Sequence, residues 1–126
     1  EIVLKHLLTE NILKFDYDET LQKALTYIDA NLDKDLSIKS ISKGINVSKS
    51  ALYSKFHSLL NCTIGEHVNK RRIEKSIQIL VETNLSIEEV SQKTGFSSAS
   101  YFTKIFKQHT GITPLKYKKT KTNKAK

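Results

Sequence analysis

The sequence has almost none of the residues that crosslink chains or hold metal ions. It contains one cysteine, Cys62, so an internal disulfide cannot form, and four scattered histidines lack the spacing of a structural zinc site. We find no nucleophile paired with a base, no paired carboxylates in the basic half and no glycine-rich phosphate loop. The sequence therefore predicts a protein that is not an enzyme and needs neither a metal nor a cofactor.

Long apolar runs are missing as well. No stretch approaches the length needed to span a bilayer, and no signal peptide opens the chain, so we expect a soluble, cytoplasmic protein without a membrane partner. Methionine is absent even at position 1, and we expect a preceding N-terminal part. With 126 residues, 38% of them apolar, the chain can bury one modest core or two small ones.

Negative charge is missing from the end of the chain. Residues 1–35 carry a net charge of −4 and residues 36–126 carry +12; beyond Glu89 there are nine lysines and no carboxylate. A basic region of this kind can bind polyanions by releasing their counterions. A solvated, lysine-rich surface explains the charge equally well, so charge alone does not decide the function.

One stretch of sequence occurs twice. Leu36 to Ser48 is matched 49 residues later by Leu85 to Ser97. Each copy predicts a short helix capped by serine, a tight turn and a second helix that begins after Ser48 or Ser97. A repeated pair of short helices in a basic chain is typical of a helix-turn-helix that reads duplex DNA.

Residues at equivalent places in the two copies support this interpretation. Ser37 and Ser86 can accept hydrogen bonds from the first turn of each short helix. The turn that follows requires a residue that tolerates positive φ. Asn46 and Gly95 stand there, and asparagine and glycine adopt that conformation at the lowest energetic cost. The two copies therefore agree in having a turn residue that tolerates positive φ, and apolar patterning alone does not produce that agreement.

The second helices, about 49–60 and 98–110, are predicted to have one apolar and one polar face. The apolar faces, which we expect in the core, consist of Leu52, Phe56, Leu59 and Leu60 in one copy and Phe102, Ile105, Phe106 and His109 in the other. The polar faces, available to a partner, consist of Ser50, Tyr53, Ser54 and His57, and of Ser100, Thr103, Lys104 and Lys107.

Several segments resemble the C-terminal signature of the AraC/XylS type of bacterial transcription regulator. They are Leu85-Ser-Ile-Glu-Glu-Val-Ser91, Gly95-Phe-Ser97, Ser100-Tyr-Phe-Thr-Lys-Ile-Phe-Lys107 and Gly111-Ile-Thr-Pro114. The likeness covers roughly residues 19–119 and includes Asn69-Lys-Arg-Arg-Ile-Glu-Lys75. It implies an all-α domain of about seven helices, with helix-turn-helix units over about 36–60 and 85–110 joined by a helix over about 64–82. We expect a linker helix over 1–18 and a disordered basic tail over 120–126 to flank it.

The resemblance also implies partners. They are double-stranded DNA, RNA polymerase, and a second copy bound through the missing N-terminal part, which would otherwise sense an effector. Successive major grooves recur about every 34 Å, and a connecting helix of roughly 28 Å suits two recognition helices reading successive segments. The alternative function is a helical protein-interaction domain whose basic surface meets an acidic partner; sequence-selective, salt-dependent duplex binding would separate the two.

Ten residues are the predicted DNA contacts. They are Lys49, Ser50, Tyr53, Ser54, Lys55, Ser98, Ser100, Thr103, Lys104 and Lys107. Where the family usually has arginine, this chain has Ser54 and Lys104, which leaves direct base readout by the first helix open. Tyr53 could contact DNA or pack against the neighbouring helix. Arg72 matches a family arginine, but we predict a structural ion pair with Glu74 or Glu88.

Overall fold

The structure is a computed structural model that describes residues 18–125, with side chains described to Lys121. These residues form seven α-helices and no strand, the all-α fold that the sequence predicts. The helices are α1 (Glu19–Ala30), α2 (Ile38–Ile45), α3 (Lys49–Lys55), α4 (Ile64–Glu82), α5 (Ile87–Lys93), α6 (Ala99–Thr110) and α7 (Pro114–Ala125). The predicted linker helix lies outside the described residues apart from its last position. Among the described helices, none is long and apolar enough to cross a membrane.

Contacts divide the described residues into two compact units. The first contains residues 18–31 and 36–67, and the second contains residues 32–35 and 68–125. One predicted helix-turn-helix falls in each unit. The helix α4, predicted as the connector, has the predicted bounds and contributes its beginning to the first unit and the rest to the second.

The first unit is built around the buried faces of α1, α2 and α3. The core residues are Leu21, Ala24, Ile28, Ile41 and Leu52 on these helices and Phe56 directly after α3, each no more than 1% exposed. Asp18 caps α1 by accepting a 2.8 Å hydrogen bond from the N–H of Leu21, and Ser37 caps α2 by accepting a 3.1 Å bond from the N–H of Ser40. These caps satisfy donors that a helix start leaves unpaired.

The helix α3 ends differently from the prediction. Its last turn widens into a π-helical turn, Phe56–Leu60, which closes on Asn61 at φ 53°. Asparagine visits this left-handed conformation at low cost and so ends the helix there. Phe56 is buried as predicted, whereas Leu59 and Leu60 are half-buried at the edge of the core.

The second unit has a core rich in aromatic rings. Ile73, Leu80, Val90, Phe96, Phe102, Ile105 and Phe106 form one buried cluster. The ring centroids of Phe96 and Phe102 are 5.1 Å apart, and those of Phe102 and Phe106 are 5.6 Å apart in an edge-to-face arrangement. The predicted core position of His109 is wrong, because the cluster closes at Phe106 and leaves His109 exposed.

Both predicted turn residues have positive φ. Asn46 has φ 56° and Gly95 has φ 85°. The N–H of Asn46 donates to the carbonyl of Ser42, and the N–H of Gly95 donates to the carbonyl of Gln92. Each turn therefore ends the preceding helix while pairing backbone groups that the helix leaves open.

The recognition helix of the second unit begins one residue later than predicted. Ser98, and not Ser97, caps α6 by accepting a 3.0 Å hydrogen bond from the N–H of Tyr101. The caps of α2 and α5 are 49 residues apart, whereas Ser48 and Ser98 are 50 residues apart. The second turn is thus one residue longer, which moves the cap.

The last helix is longer than the sequence predicts. A disordered tail is predicted over 120–126, whereas α7 continues to Ala125. The physical reason is a contact 41 residues away in sequence: the Nζ of Lys121 donates to the carbonyl of Leu80 at 2.6 Å and, 38 residues away, to that of Thr83 at 3.2 Å. A lysine at the C-terminal carbonyls of α4 stabilises that helix end and holds α7 in place.

Arg72 anchors the loop over residues 32–35 within the second unit. Its Nε donates to the carbonyl of Leu32 at 2.9 Å, and its Nη2 donates to the carbonyl of Lys34 at 2.8 Å. The guanidinium carbon lies 6.0 Å from the ring centroid of Phe96. The planar guanidinium can bind two carbonyls and an aromatic ring together, which lysine cannot do.

The predicted structural role of Arg72 is therefore observed with different partners. It binds backbone carbonyls, and neither Glu74 nor Glu88 is its partner; Glu74 pairs with Arg71 instead. Burial lowers the pKa of the Arg72 guanidinium, and the nearby carboxylate of Asp35 opposes that shift. The carbonyl partners come from a distant loop, which helical spacing around Arg72 could not reveal.

Candidate nucleic-acid interface

The polar face of α3 is exposed. Ser48 fixes the start of this helix by accepting a 3.1 Å hydrogen bond from the N–H of Ala51, and Leu52 and Phe56 turn the opposite face into the core. Four of the five predicted contacts in this unit are consequently exposed, namely Lys49, Ser50, Tyr53 and Ser54. The structure brings them together on one short helix.

Lys55, the fifth predicted contact of this unit, forms an ion pair within the unit. Its Nζ lies 2.7 Å from the Oδ2 of Asp18, the residue that caps α1. Burial raises the pKa of the Asp18 carboxyl, but hydrogen bonds from Lys55 and the N–H of Leu21 outweigh it and lower the pKa overall. Lys55 therefore has an intramolecular partner that a phosphate would have to replace.

Tyr53 forms an exposed aromatic pair. Its side chain is 61% exposed, and its ring is stacked on His57 with centroids 6.0 Å apart and an interplanar angle of 6°. Tyr53 thus packs on His57, one helical turn along, and its DNA contact stays a prediction. The stack places a flat apolar surface with polar atoms at its rim on the face where the first helix lacks arginine.

The polar face of α6 carries more positive charge. Ser98, Ser100, Lys104 and Lys107 are exposed, and Thr103 is half-buried. Positions 100, 104 and 107 follow helical spacing and form one stripe opposite the buried Phe102 and Phe106. These five residues therefore offer two ammonium groups and three hydroxyls to a partner, a donor set suited to phosphates and guanine edges.

The repeat comparison omitted one exposed residue of this helix. Tyr101 lies in the first turn of α6 and is 41% exposed. When the capping residues Ser48 and Ser98 are aligned, Tyr101 corresponds to Ala51, so the first copy contains no counterpart that would point to it. The sequence feature that could have identified Tyr101 is its position directly after Ser100, a predicted contact.

Comparisons with known proteins agree with this geometry. A family model described as a helix-turn-helix domain matches residues 41–120. The probable transcription factor PqrA of Proteus vulgaris is 33% identical over 107 residues, which are 83% of this chain and 88% of that protein. The lactose operon transcription activator of Staphylococcus xylosus is 28% identical over 101 residues, 80% of this chain and 36% of its own length.

Two solved structures share the fold. The C-terminal domain of AraT, a response regulator from Geobacillus stearothermophilus, has a TM-score of 0.78 and 28% identity, with 82% of this chain and 86% of that chain covered. An AraC-type DNA-binding-domain protein from Chromobacterium violaceum has a TM-score of 0.75 and 26% identity, with 81% and 91% covered. The chain spans between 29% and 59% of the first three curated relatives it matches.

Proposed function

This chain belongs to the AraC/XylS family of helix-turn-helix DNA-binding domains, and from that premise we infer that it reads two successive major-groove segments of duplex DNA. We propose that it does so as the DNA-binding part of a bacterial transcription regulator. The observation that carries the proposal is the doubled recognition helix: each unit has a capped helix with a buried apolar face and an exposed polar face.

The two helices differ in the contacts that they can offer. Lys104 and Lys107 on α6 supply charged donors that can bind guanine edges and phosphates. On α3, Ser50 and Ser54 can donate one short hydrogen bond each, while Tyr53 offers a ring surface to a sugar or thymine methyl group. We therefore assign the larger share of base readout to α6 and shape or apolar readout to α3.

The alternative of a protein-interaction domain is not favoured, because the relatives are DNA-binding regulators and not enzymes or adaptors. RNA polymerase is a further proposed partner, supported by a relative that is a transcription activator. Self-association of the full-length regulator, which the family resemblance implies, and a cytoplasmic location, where bacterial DNA lies, complete the proposal. The helix α4 supports two-site reading, since it runs without interruption between Ile64 and Glu82.

Selection from a random duplex library tests the proposal. We expect the chain to enrich one sequence with two contacted segments about 10 base pairs apart, one helical turn. Affinity should fall steeply with salt, by about 0.9 log units per log unit of salt for each neutralised phosphate. A scrambled duplex of the same composition is the control.

A second arm tests two-site reading without altering the protein. Inserting 5 base pairs between the two contacted segments rotates one segment by about half a helical turn relative to the other. Affinity should fall to that of a duplex carrying one segment only. Failure to enrich any sequence would contradict DNA reading itself, whereas unchanged affinity for the expanded site would contradict two-site reading alone.

A further inference from the structure

Tyr101 has a buried side and an exposed side. Its ring is tilted against Phe96 at 58°, with centroids 6.0 Å apart, while 41% of the residue is exposed. Phe96 belongs to the aromatic cluster of the second unit and is itself 6% exposed. The packing fixes the direction of the Tyr101 ring, so its hydroxyl occupies a defined place at the surface.

The Tyr101 hydroxyl is held by a hydrogen bond from the helix α4. Asn69 Nδ2 donates to this oxygen at 3.2 Å across 32 residues of sequence. The bond occupies a lone pair of the phenol oxygen and leaves the hydroxyl with its own proton to donate. Asn69 therefore orients a donor near the start of α6.

A fixed positive charge packs on the same aromatic residue as Tyr101. The guanidinium carbon of Arg72 is 6.0 Å from the ring centroid of Phe96, the same ring against which Tyr101 packs. Both nitrogens of Arg72 described above are bound to carbonyls of the 32–35 loop. The guanidinium thus stays in place and adds positive charge to the aromatic cluster that Tyr101 joins, which favours an anionic partner near it.

The position of Tyr101 on the helix indicates which part of DNA it meets. Adjacent helical residues are about 100° apart around the axis, so Tyr101 stands at the edge of the stripe formed by Ser100, Lys104 and Lys107. For a helix in the major groove, base edges lie in front of the central stripe and phosphates lie along its borders. A neutral donor at the border is suited to a phosphate oxygen.

We propose that Tyr101 is a further DNA-contact residue, whose hydroxyl donates a hydrogen bond to one backbone phosphate, and that Asn69 is its positioning residue. The inference rests on the proposed function, since it requires α6 to lie in the groove. It adds a contact that gives affinity and register without sequence information.

Replacing Tyr101 by phenylalanine removes the hydroxyl and keeps the ring against Phe96. Fluorescence anisotropy should show about tenfold weaker binding, the usual loss for a hydrogen bond to a charged group. The loss should be equal on the selected duplex and its scrambled control, and the salt slope should not change, because a neutral donor displaces no counterion. Tyr117→Phe, the same deletion on α7 in the same unit, should bind like the parent.

Single methylphosphonate substitutions in the selected duplex locate the contact. At one position, methylphosphonate substitution should weaken binding by the parent and leave binding by Tyr101→Phe unchanged. The variant lacks the hydroxyl, so it has no hydrogen bond to lose at that phosphate. Asn69→Ala should weaken binding by about threefold, less than the loss of the hydroxyl itself, and should add nothing in the Tyr101→Phe background. Circular dichroism and urea unfolding should show that each variant folds like the parent.

The outcomes separate this inference from the proposed function. If the parent selects no duplex, the proposed function fails and this inference with it. If the parent binds its selected duplex and Tyr101→Phe binds equally well, only the Tyr101 contact is overturned. Two other results also overturn the Tyr101 contact. One is a Tyr101→Phe loss that appears on the selected duplex and not on the scrambled control. The other is a Tyr101→Phe loss that is additive with every methylphosphonate substitution, because either result means that the hydroxyl does not meet a phosphate.

Discussion

Gly95 should be the most sensitive glycine of this chain. It has φ +85°, and a Cβ at this position would lie 2.0 Å from the carbonyl oxygen of Leu32 and 3.0 Å from the Nε of Arg72. The same carbonyl accepts the 2.9 Å hydrogen bond from Arg72. Gly95→Ala therefore imposes an unfavourable backbone conformation and also separates an arginine from its acceptor.

The two effects give an expected magnitude. A non-glycine residue in the left-handed region costs about 1–2 kcal/mol. Displacing the Leu32 carbonyl from the guanidinium of Arg72 adds about 1.5–3 kcal/mol, the usual contribution of a hydrogen bond to a charged group. We expect the free energy of unfolding to fall by about 2.5–5 kcal/mol, a large part of the stability of a small domain.

Gly111 provides a matched control. It has φ +86°, but nothing lies within 4 Å of a Cβ built there, so Gly111→Ala carries the conformational cost without the clash. Urea unfolding followed by circular dichroism at 222 nm measures both variants against the parent. Losses for Gly95→Ala and Gly111→Ala that agree within about 0.5 kcal/mol would refute the steric argument, and only the backbone argument would survive.

Three further predictions follow from single contacts. Lys104→Ala should weaken binding to the selected duplex by about 1–3 kcal/mol and Ser54→Ala by less, because lysine is a charged donor; a larger loss at Ser54 in anisotropy titrations would reverse the assigned shares. Asp18→Asn keeps the cap but removes the ion pair, so it should cost about 0.5 kcal/mol at pH 7. Since the folded-state pKa of Asp18 lies below the ordinary 3.8, this difference is fully present above that pH and should disappear in urea unfolding as the pH falls below it; a constant difference would contradict the ion pair. Lys121→Ala should lower the free energy of unfolding by about 1 kcal/mol through its lost carbonyl contacts, whereas exposed Lys119→Ala should change it little, and equal effects would rule out those contacts.

Local features of the fold were predictable from the sequence. The capping boxes of Ser86 with Glu89 and of Thr63 with Glu66 are present, and both follow from residues three apart. The positive φ of Asn46 follows from the same short range, because a residue type and its immediate neighbours decide it. Helix bounds and the division into apolar and polar faces were consequently right for most of the chain.

The candidate interface was predictable as a surface and less so residue by residue. Periodicity identified the exposed faces of α3 and α6, including Tyr53 and Lys104. It could not show that Lys55 is paired with Asp18, because that contact joins two helices. It also missed Tyr101, whose counterpart in the first copy is alanine.

The sequence by itself determined where most helices begin, where the chain turns and which faces are polar, since those depend on neighbours within one helical turn. Only the tertiary structure decided the partners of Arg72, Lys121 and Asn69, which lie 40, 41 and 32 residues away. Their acceptors are backbone carbonyls and a phenol oxygen, groups that carry no distinguishing pattern in the sequence. Folding alone brings these acceptors within hydrogen-bond distance, because long-range packing and not local spacing sets their positions.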